Sequence, residues 1–195
     1  MGHSQASKQQ THERILQIAA KRFCEQGIEG VSIADLMKEA GLTHGGFYKH
    51  FGSREELVAE ALGVALERSK KTAPEADASF AGLIRAYLSE QHRDAVGSGC
   101  AVGALINDMG RAEGDARALY TAQLRENLES LAQRLKTSTC SGQAEAMVAY
   151  SAMIGALSLS RAIDDPALSR AVLVNVRDYL LKAFAPDSMA GNEPV

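Results

Sequence analysis

The 195-residue chain contains no tryptophan, five phenylalanines, five tyrosines and only four prolines. Its three cysteines, Cys24, Cys100 and Cys140, are odd in number and widely separated. That excludes a disulfide framework and a paired-cysteine zinc site, and it reads as a protein of a reducing compartment. A membrane-spanning helix needs about 20 apolar residues. The longest uncharged stretch here, Ala146 to Ser160, has 15, among them four serines and tyrosines. The first fifteen residues are polar and lack the apolar core of a secretory signal. No membrane partner and a cytoplasmic location are therefore expected. An excess of positive charge is also missing, since 21 Lys and Arg face 24 Asp and Glu for a net charge of −3. A uniformly basic nucleic-acid binder is thereby excluded.

What is present is unevenly spread. At 46% hydrophobic the chain can bury a real core. Residues 1–54 hold seven basic against five acidic side chains and four of the five histidines, leaving 14 basic against 19 acidic beyond them. Seven of the 17 glycines precede residue 53, and no proline lies between Pro74 and Pro166. This predicts short helices with tight turns first and long helices afterwards.

Apolar residues recur at helical rather than alternating spacing throughout, which predicts an all-α fold without strands. Residues 1–10 read as a polar, flexible arm. From Thr11, the set Ile15, Leu16, Ile18, Ala19 and Phe23 marks a first helix that Gly27 stops. Ser32-Ile-Ala-Asp35 is a capping box opening a second helix, which ends at Ala40-Gly41. A third helix is expected from Thr43 to about Phe51. Ser53-Arg-Glu-Glu56 is a second capping box, opening a helix with Leu57, Val58, Ala61, Leu62, Ala65 and Leu66 on its inner face. Further amphipathic helices follow at Phe80, Leu83, Ile84, Tyr87, Leu88 and at Leu124, Leu128, Leu131, Leu135. Residues 143–163 form a helix with small side chains at Ala149, Ser151, Ala152, Gly155 and Ala156. Asp165-Pro166 is an N-cap followed by proline at the first helical position, opening a last helix to about Phe184. Residues 186–195 read as a tail.

The chemistry concentrates in residues 30–57. A capped helix, a glycine-containing turn and a short second helix bearing His44, Tyr48, Lys49 and His50 make a helix-turn-helix. Such a unit lays its second helix in a groove about 12 Å wide, so the outer face must carry polar donors. Phe47 and Phe51, four apart, face the other way and anchor that helix to the core.

On these residues the chain resembles the TetR/AcrR family of bacterial transcriptional regulators. The likeness rests on Thr11 to Gly27, Val31-Ser32-Ile33, Ala40-Gly41-Leu42, Gly45, Phe47-Tyr48, Phe51 and Ser53 to Leu57, within residues 11–62. It implies a helix-turn-helix DNA-binding domain at 11–56 and a helical ligand-binding and dimerisation domain at 57–185. It further implies a homodimeric repressor that a small-molecule effector releases from a palindromic double-stranded operator. By position, the phosphate contacts correspond to Ser32, Tyr48, His50 and Arg54, and the base-reading positions to Thr43, His44, Gly46 and Lys49, with Gly45 among the DNA-binding set. Two positions depart from the family pattern: His44 stands where lysine is common, and Gly46 where serine or threonine is common. Each glycine of the Gly45-Gly46 pair costs about 1 kcal/mol of helix propensity, and the pair offers a close backbone approach to DNA.

For the effector, an apolar pocket within residues 80–128 is expected to use some of Tyr87, His92, Cys100, Met109 and Tyr120, and the anionic balance points to a neutral or cationic organic molecule. No catalytic residue, metal or cofactor is assigned. Gly97-Ser-Gly-Cys-Ala-Val-Gly103 lacks a preceding strand and the spacing of a nucleotide loop. The alternative to a regulator is a helical enzyme or thiol-reactive binding module using Cys100 and His92, although a nucleophile would need an orienting acid as well.

Overall fold

The computed structural model describes residues 2–71, 79–135 and 142–185. Among the described residues there are ten α-helices and one 3-10 helix, and no strand. Packing divides the described residues into two compact units, one drawn from residues 2–71 and 96–123 and the other from 79–95, 124–135 and 142–185. The expected boundary at 56–57 was a division of roles along the sequence. Packing instead gathers residues 96–123 with the first three helices.

In the first unit, α1 (Gly2–Gln26) buries Ile15, Leu16, Ala19, Ala20 and Phe23, a stripe of period 3.6, and packs on α3 (Arg54–Lys71) through Leu57, Ala61, Leu62 and Ala65. The helix begins at Gly2 rather than Thr11. Residues 5–10 contain no breaker, so α1 continues through them with exposed side chains where a flexible arm was expected. Gly27, at φ +75°, ends it where the sequence placed the stop.

Between these helices lie α2 (Ile33–Glu39) and the 3-10 helix η1 (His44–Lys49). The turn joining them is a Schellman motif. The Leu42 amide donates to the Met37 carbonyl at 2.8 Å and the Gly41 amide to the Lys38 carbonyl at 3.0 Å. Gly41 sits at φ +70°, a conformation that only glycine adopts without strain. η1 is shorter and tighter than the α-helix expected over 43–51. Its bonds are of the i to i+3 kind, Gly46 N to Thr43 O and His50 N to Phe47 O, both 2.9 Å. With two glycines in its first turn the segment lacks the propensity to propagate an α-helix.

The same unit contains α6 (Ala101–Ala104), α7 (Ile106–Arg111) and the first part of α8 (Gly114–Leu135). The end of α3 holds the turn before α6. Arg68 Nη2 donates to the Gly97 carbonyl at 2.6 Å, and the Ser69 hydroxyl, 3.0 Å from the Gly99 carbonyl, accepts from the Ala101 amide at 3.0 Å. Gly97 and Gly99 thus serve a tight turn, while Gly103 is buried within α6.

The second unit comprises α4 (Phe80–Tyr87), α5 (Glu90–Asp94), the rest of α8, α9 (Gly142–Ala162) and α10 (Pro166–Phe184). Long helices were expected after residue 78, yet α4 to α7 are all short. Ser79, Ser89 and Cys100 each cap a new helix from its N-cap position, so the chain is repeatedly restarted. α9 and α10 pack against each other. Asp165 accepts from the Ala167 and Leu168 amides at 2.8 and 3.2 Å, with Pro166 at the first helical position as expected. α9 buries Ala146, Ala149, Tyr150, Met153, Ala156 and Leu157. Met147, Val148 and Leu159 on α9, and Leu168 and Tyr179 on α10, remain exposed. Residues 186–195 and Cys140 lie outside the described residues.

Candidate nucleic-acid interface

The segment from Val31 to Leu57 folds as two short helices braced by aromatic side chains. Phe47 and Phe51, each 1% exposed, stack with ring centroids 5.4 Å apart, and His12 of α1 stacks on Phe51 at 4.6 Å. Its Nε2 pairs with Glu60 Oε2 of α3 at 2.8 Å. Burying a phenylalanine contributes about 1.5–3 kcal/mol relative to leaving it exposed. The rings, more than η1's few backbone bonds, therefore fix that helix to α1 and α3.

Opposite the rings, η1 presents the expected polar row. Thr43, His44, Gly45 and Lys49 are exposed, Gly46 and His50 are half-buried, and Tyr48 is 70% exposed despite its large ring. A Cβ at Gly45 would meet nothing within 4 Å, and one at Gly46 would touch only Met37 Cε at 3.5 Å and Thr43 Oγ1 at 3.8 Å. Nothing within the chain demands glycine at either position.

His50 differs from its neighbours. Its Nδ1 is buried with no hydrogen-bond partner, and its pKa is pushed below the ordinary histidine value by burial, with His12, Lys8 and Lys49 adding to the shift. A proton on a buried, unpaired Nδ1 is costly, so we assign the neutral tautomer with hydrogen on Nε2. As a phosphate contact it offers a neutral donor.

Two residues from the expected phosphate set are engaged within the chain. Ser32 caps α2 by accepting from the Asp35 amide at 3.1 Å, as predicted. Asp35 does not reach back to the backbone, however. Its Oδ2 accepts the Ser32 hydroxyl proton at 2.6 Å, so the hydroxyl expected to contact a phosphate is already donated to a carboxylate. Arg54 stands at the start of α3 as expected, but its Nη2 donates to the carbonyls of Ile28 at 2.6 Å and Val31 at 3.0 Å. That helix start also carries its own anions. Glu56 Oε2 takes the Gly52 amide at 2.6 Å, and the carboxyl of Glu55 is pulled below its usual range by hydrogen bonds to its own backbone and to Ser53. Sequence reasoning missed the Asp108 carboxylate of α7, which accepts from the Ile28 amide at 3.0 Å. The two residues are 80 apart in sequence, and no local signal links them.

The five residues expected at an effector pocket are not gathered within one unit. Tyr87 and His92 fall in the second unit, with rings 4.6 Å apart and edge to face, and His92 Nδ1 lies 2.7 Å from the Tyr87 carbonyl. Burial lowers the His92 pKa, the Tyr87 carbonyl partly opposes this, and Arg161 adds to the lowering. Cys100, Met109 and Tyr120 fall in the first unit. The Tyr120 hydroxyl donates to the Val102 carbonyl at 2.9 Å, and burial, with Cys100 nearby, pushes its pKa up to about 12. Cys100 Sγ accepts from the Gly103 amide at 3.4 Å and so caps α6. An open groove of about 530 Å³ between α1 and α3 is lined by Leu16, Gln17, Glu60, Gly63, Val64, Glu67 and Arg68, and by none of those five. Among the described residues, no helix is long and apolar enough to cross a membrane.

Comparison with known proteins bears on the same segment. Residues 15–61 match the family described as bacterial regulatory proteins, tetR family. A stretch of 48 residues is 40% identical to the HTH-type transcriptional repressor KstR2 of Mycobacterium tuberculosis, covering 25% of this chain and 24% of that protein. The chain spans well under half the length of the curated relatives it matches. Solved structures extend the likeness in fold. A TetR transcriptional regulator from Chloroflexus aurantiacus matches with a TM-score of 0.74 at 22% identity, covering 90% of this chain and 96% of that one. AibR, solved with isovaleryl coenzyme A and operator DNA, matches with a TM-score of 0.62 at 15% identity, covering 87% and 97%. KstR2 and the Chloroflexus aurantiacus protein are both described as regulators, and the family match does not extend to Cys100 or His92. Residues 15–61 of this chain match the tetR family of bacterial regulatory proteins, and the chain as a whole shares its fold with solved TetR-family regulators.

Proposed function

We propose that the protein is a homodimeric, sequence-specific DNA-binding repressor of the cytoplasm, released from an inverted-repeat operator by a small organic effector. The observation that carries this reading is the exposed row of Thr43, His44, Tyr48 and Lys49 on a helix locked from behind by Phe47 and Phe51. KstR2, 40% identical over 48 residues, is a repressor by name, and AibR was solved with isovaleryl coenzyme A and operator DNA. Lys49 extends to a base edge, guanine O6 or N7 being its natural acceptors. Tyr48 and the Nε2–H of His50 donate to phosphates, while Ser32 and Arg54 hold the frame.

Homodimerisation is supported by the uncovered apolar residues of α9 and α10. Met147, Val148 and Leu159 on one helix, and Leu168 and Tyr179 on the other, are exposed apolar side chains that a second copy would cover. The effector is expected to be neutral or cationic, given the acidic excess beyond residue 54.

Fluorescence anisotropy with DNA from the protein's own upstream region tests the reading. Operator binding should exceed random-DNA binding by at least about 10³ at physiological salt. Lys49→Ala should cost about 1–3 kcal/mol on operator and relax preference at one base pair per half-site. Equal loss on operator and random DNA would remove Lys49 from base reading. Absence of any operator preference in the wild type would overturn the function itself.

A further inference from the structure

The loop between α1 and α2 is pinned from two sides. Ile28 N–H donates to Asp108 Oδ1 of α7 at 3.0 Å, while the Ile28 and Val31 carbonyls accept from Arg54 Nη2 of α3 at 2.6 and 3.0 Å. Both ends of the Ile28 residue are thus fixed by charged side chains from other helices. The Asp108 side chain is only 12% exposed, with Arg111 Nη2 at 4.0 Å as its ion partner. The fit around it is close, because a Cβ at Gly27 would stand 3.4 Å from Asp108 Oδ1. Immediately after the loop comes Ser32, the N-cap of α2, and α2 braces η1.

We propose that Asp108 is a positioning residue through which residues 96–123 set DNA affinity. By holding the Ile28 amide it fixes where α2 begins, and hence where η1 is presented. This rests on the DNA-binding reading above. A shift of α7 along or away from the loop lengthens one hydrogen bond and frees the start of α2, the kind of two-state element on which an effector can act.

The sign of the effect separates positioning from electrostatics. Deleting a carboxylate from a DNA-binding protein should by charge alone tighten binding, because less repulsion opposes the phosphates. Positioning demands the opposite. Full-length wild type, Asp108→Ala and Asp108→Asn are compared by anisotropy on the upstream operator fragment, with amide exchange of Ile28 followed by NMR. Asp108→Ala should weaken operator binding and speed Ile28 exchange, each on the order of tenfold, the effect of one charge-assisted hydrogen bond. The slope of log affinity against log salt should not change. Asp108→Asn, which retains the Oδ1 acceptor without the charge, should bring both back to within about threefold of wild type.

Unchanged or tighter operator binding by Asp108→Ala, with wild-type binding intact, overturns the inference and leaves the DNA-binding reading standing. The same holds if Asp108→Asn is as impaired as alanine, or if Ile28 exchange is unaffected. A wild type that binds no operator overturns the function, and any control by Asp108 falls with it.

Discussion

Replacing Arg54 by methionine separates two uses of one side chain. Position at the start of α3 favours a phosphate, and the expected signature of losing a phosphate contact is a salt slope shallower by about 0.9, with stability unchanged. The geometry favours the inward use, since Nη2 already donates to two carbonyls, at 2.6 and 3.0 Å. A hydrogen bond from a charged donor contributes about 1.5–3 kcal/mol. Arg54 is only half-buried and freed carbonyls can hydrate, so the pair together should be discounted to about 2–3 kcal/mol. For a chain of this length, 1 kcal/mol shifts the midpoint by about 2–4 °C, so Arg54→Met should melt about 4–12 °C lower. With no tryptophan to report unfolding, far-UV circular dichroism is the probe. Operator affinity should fall as well, because the loop before α2 loosens, so affinity alone does not discriminate. The slope does. If Arg54→Met melts with wild type while the slope drops by about one, the arginine is a phosphate contact and the clamp reasoning is wrong.

Gly45→Ala and Gly46→Ala should leave the fold intact or raise its midpoint by a few degrees, since neither Cβ meets an obstacle and each removes up to about 1 kcal/mol of backbone entropy cost. Weaker operator binding by the same variants would show that bare backbone approaches DNA there; unaltered binding would refute that. His50 and His92 are both held below the ordinary histidine pKa, chiefly by burial. The unfolded chain therefore takes up protons first as pH falls below about 6.5, so stability should be level above neutrality and decline from there toward pH 5. A His50→Asn, His92→Asn double variant that declines just as steeply would refute this. Gly155→Arg on α9, where a Cβ would meet nothing within 4 Å, should turn a sedimenting dimer into a folded 20.8 kDa species. A wild type that sediments at that mass at micromolar concentration would sink the dimer.

Features set within a few residues were legible from the sequence. Ser32 as a cap, Gly41 as a left-handed turn, Asp165-Pro166 as a helix start and the inward pair Phe47 and Phe51 all stand where periodicity and capping chemistry put them. What escaped was settled at a distance or by small energy differences. Ile28 and Val31, 26 and 23 positions before Arg54, supply its acceptors, and nothing in Ser53-Arg-Glu-Glu56 announces them. The choice of 3-10 over α in η1 turns on two glycines, and the grouping of 96–123 with the first helices depends on bonds such as Arg68 to Gly97. Apolar spacing alone marked the middle of the chain as helical, and it does not carry the breaks that the Ser79 and Ser89 caps introduce there.

The way η1 is fastened bears on how this protein can change. Its hold on the body of the unit comes from Phe47, Phe51 and the His12 ring behind them. The outward residues Thr43, His44 and Lys49 contribute little to that hold. Mutations at these positions can then accumulate with almost no loss of folding, so a duplicated copy can drift toward a different operator while remaining a sound protein throughout. Substitutions at the rings have no such freedom, since truncating Phe47 to alanine should cost about 3–5 kcal/mol. Within the nine residues from Thr43 to Phe51 the chain thus holds both a fixed mount and a replaceable outer surface.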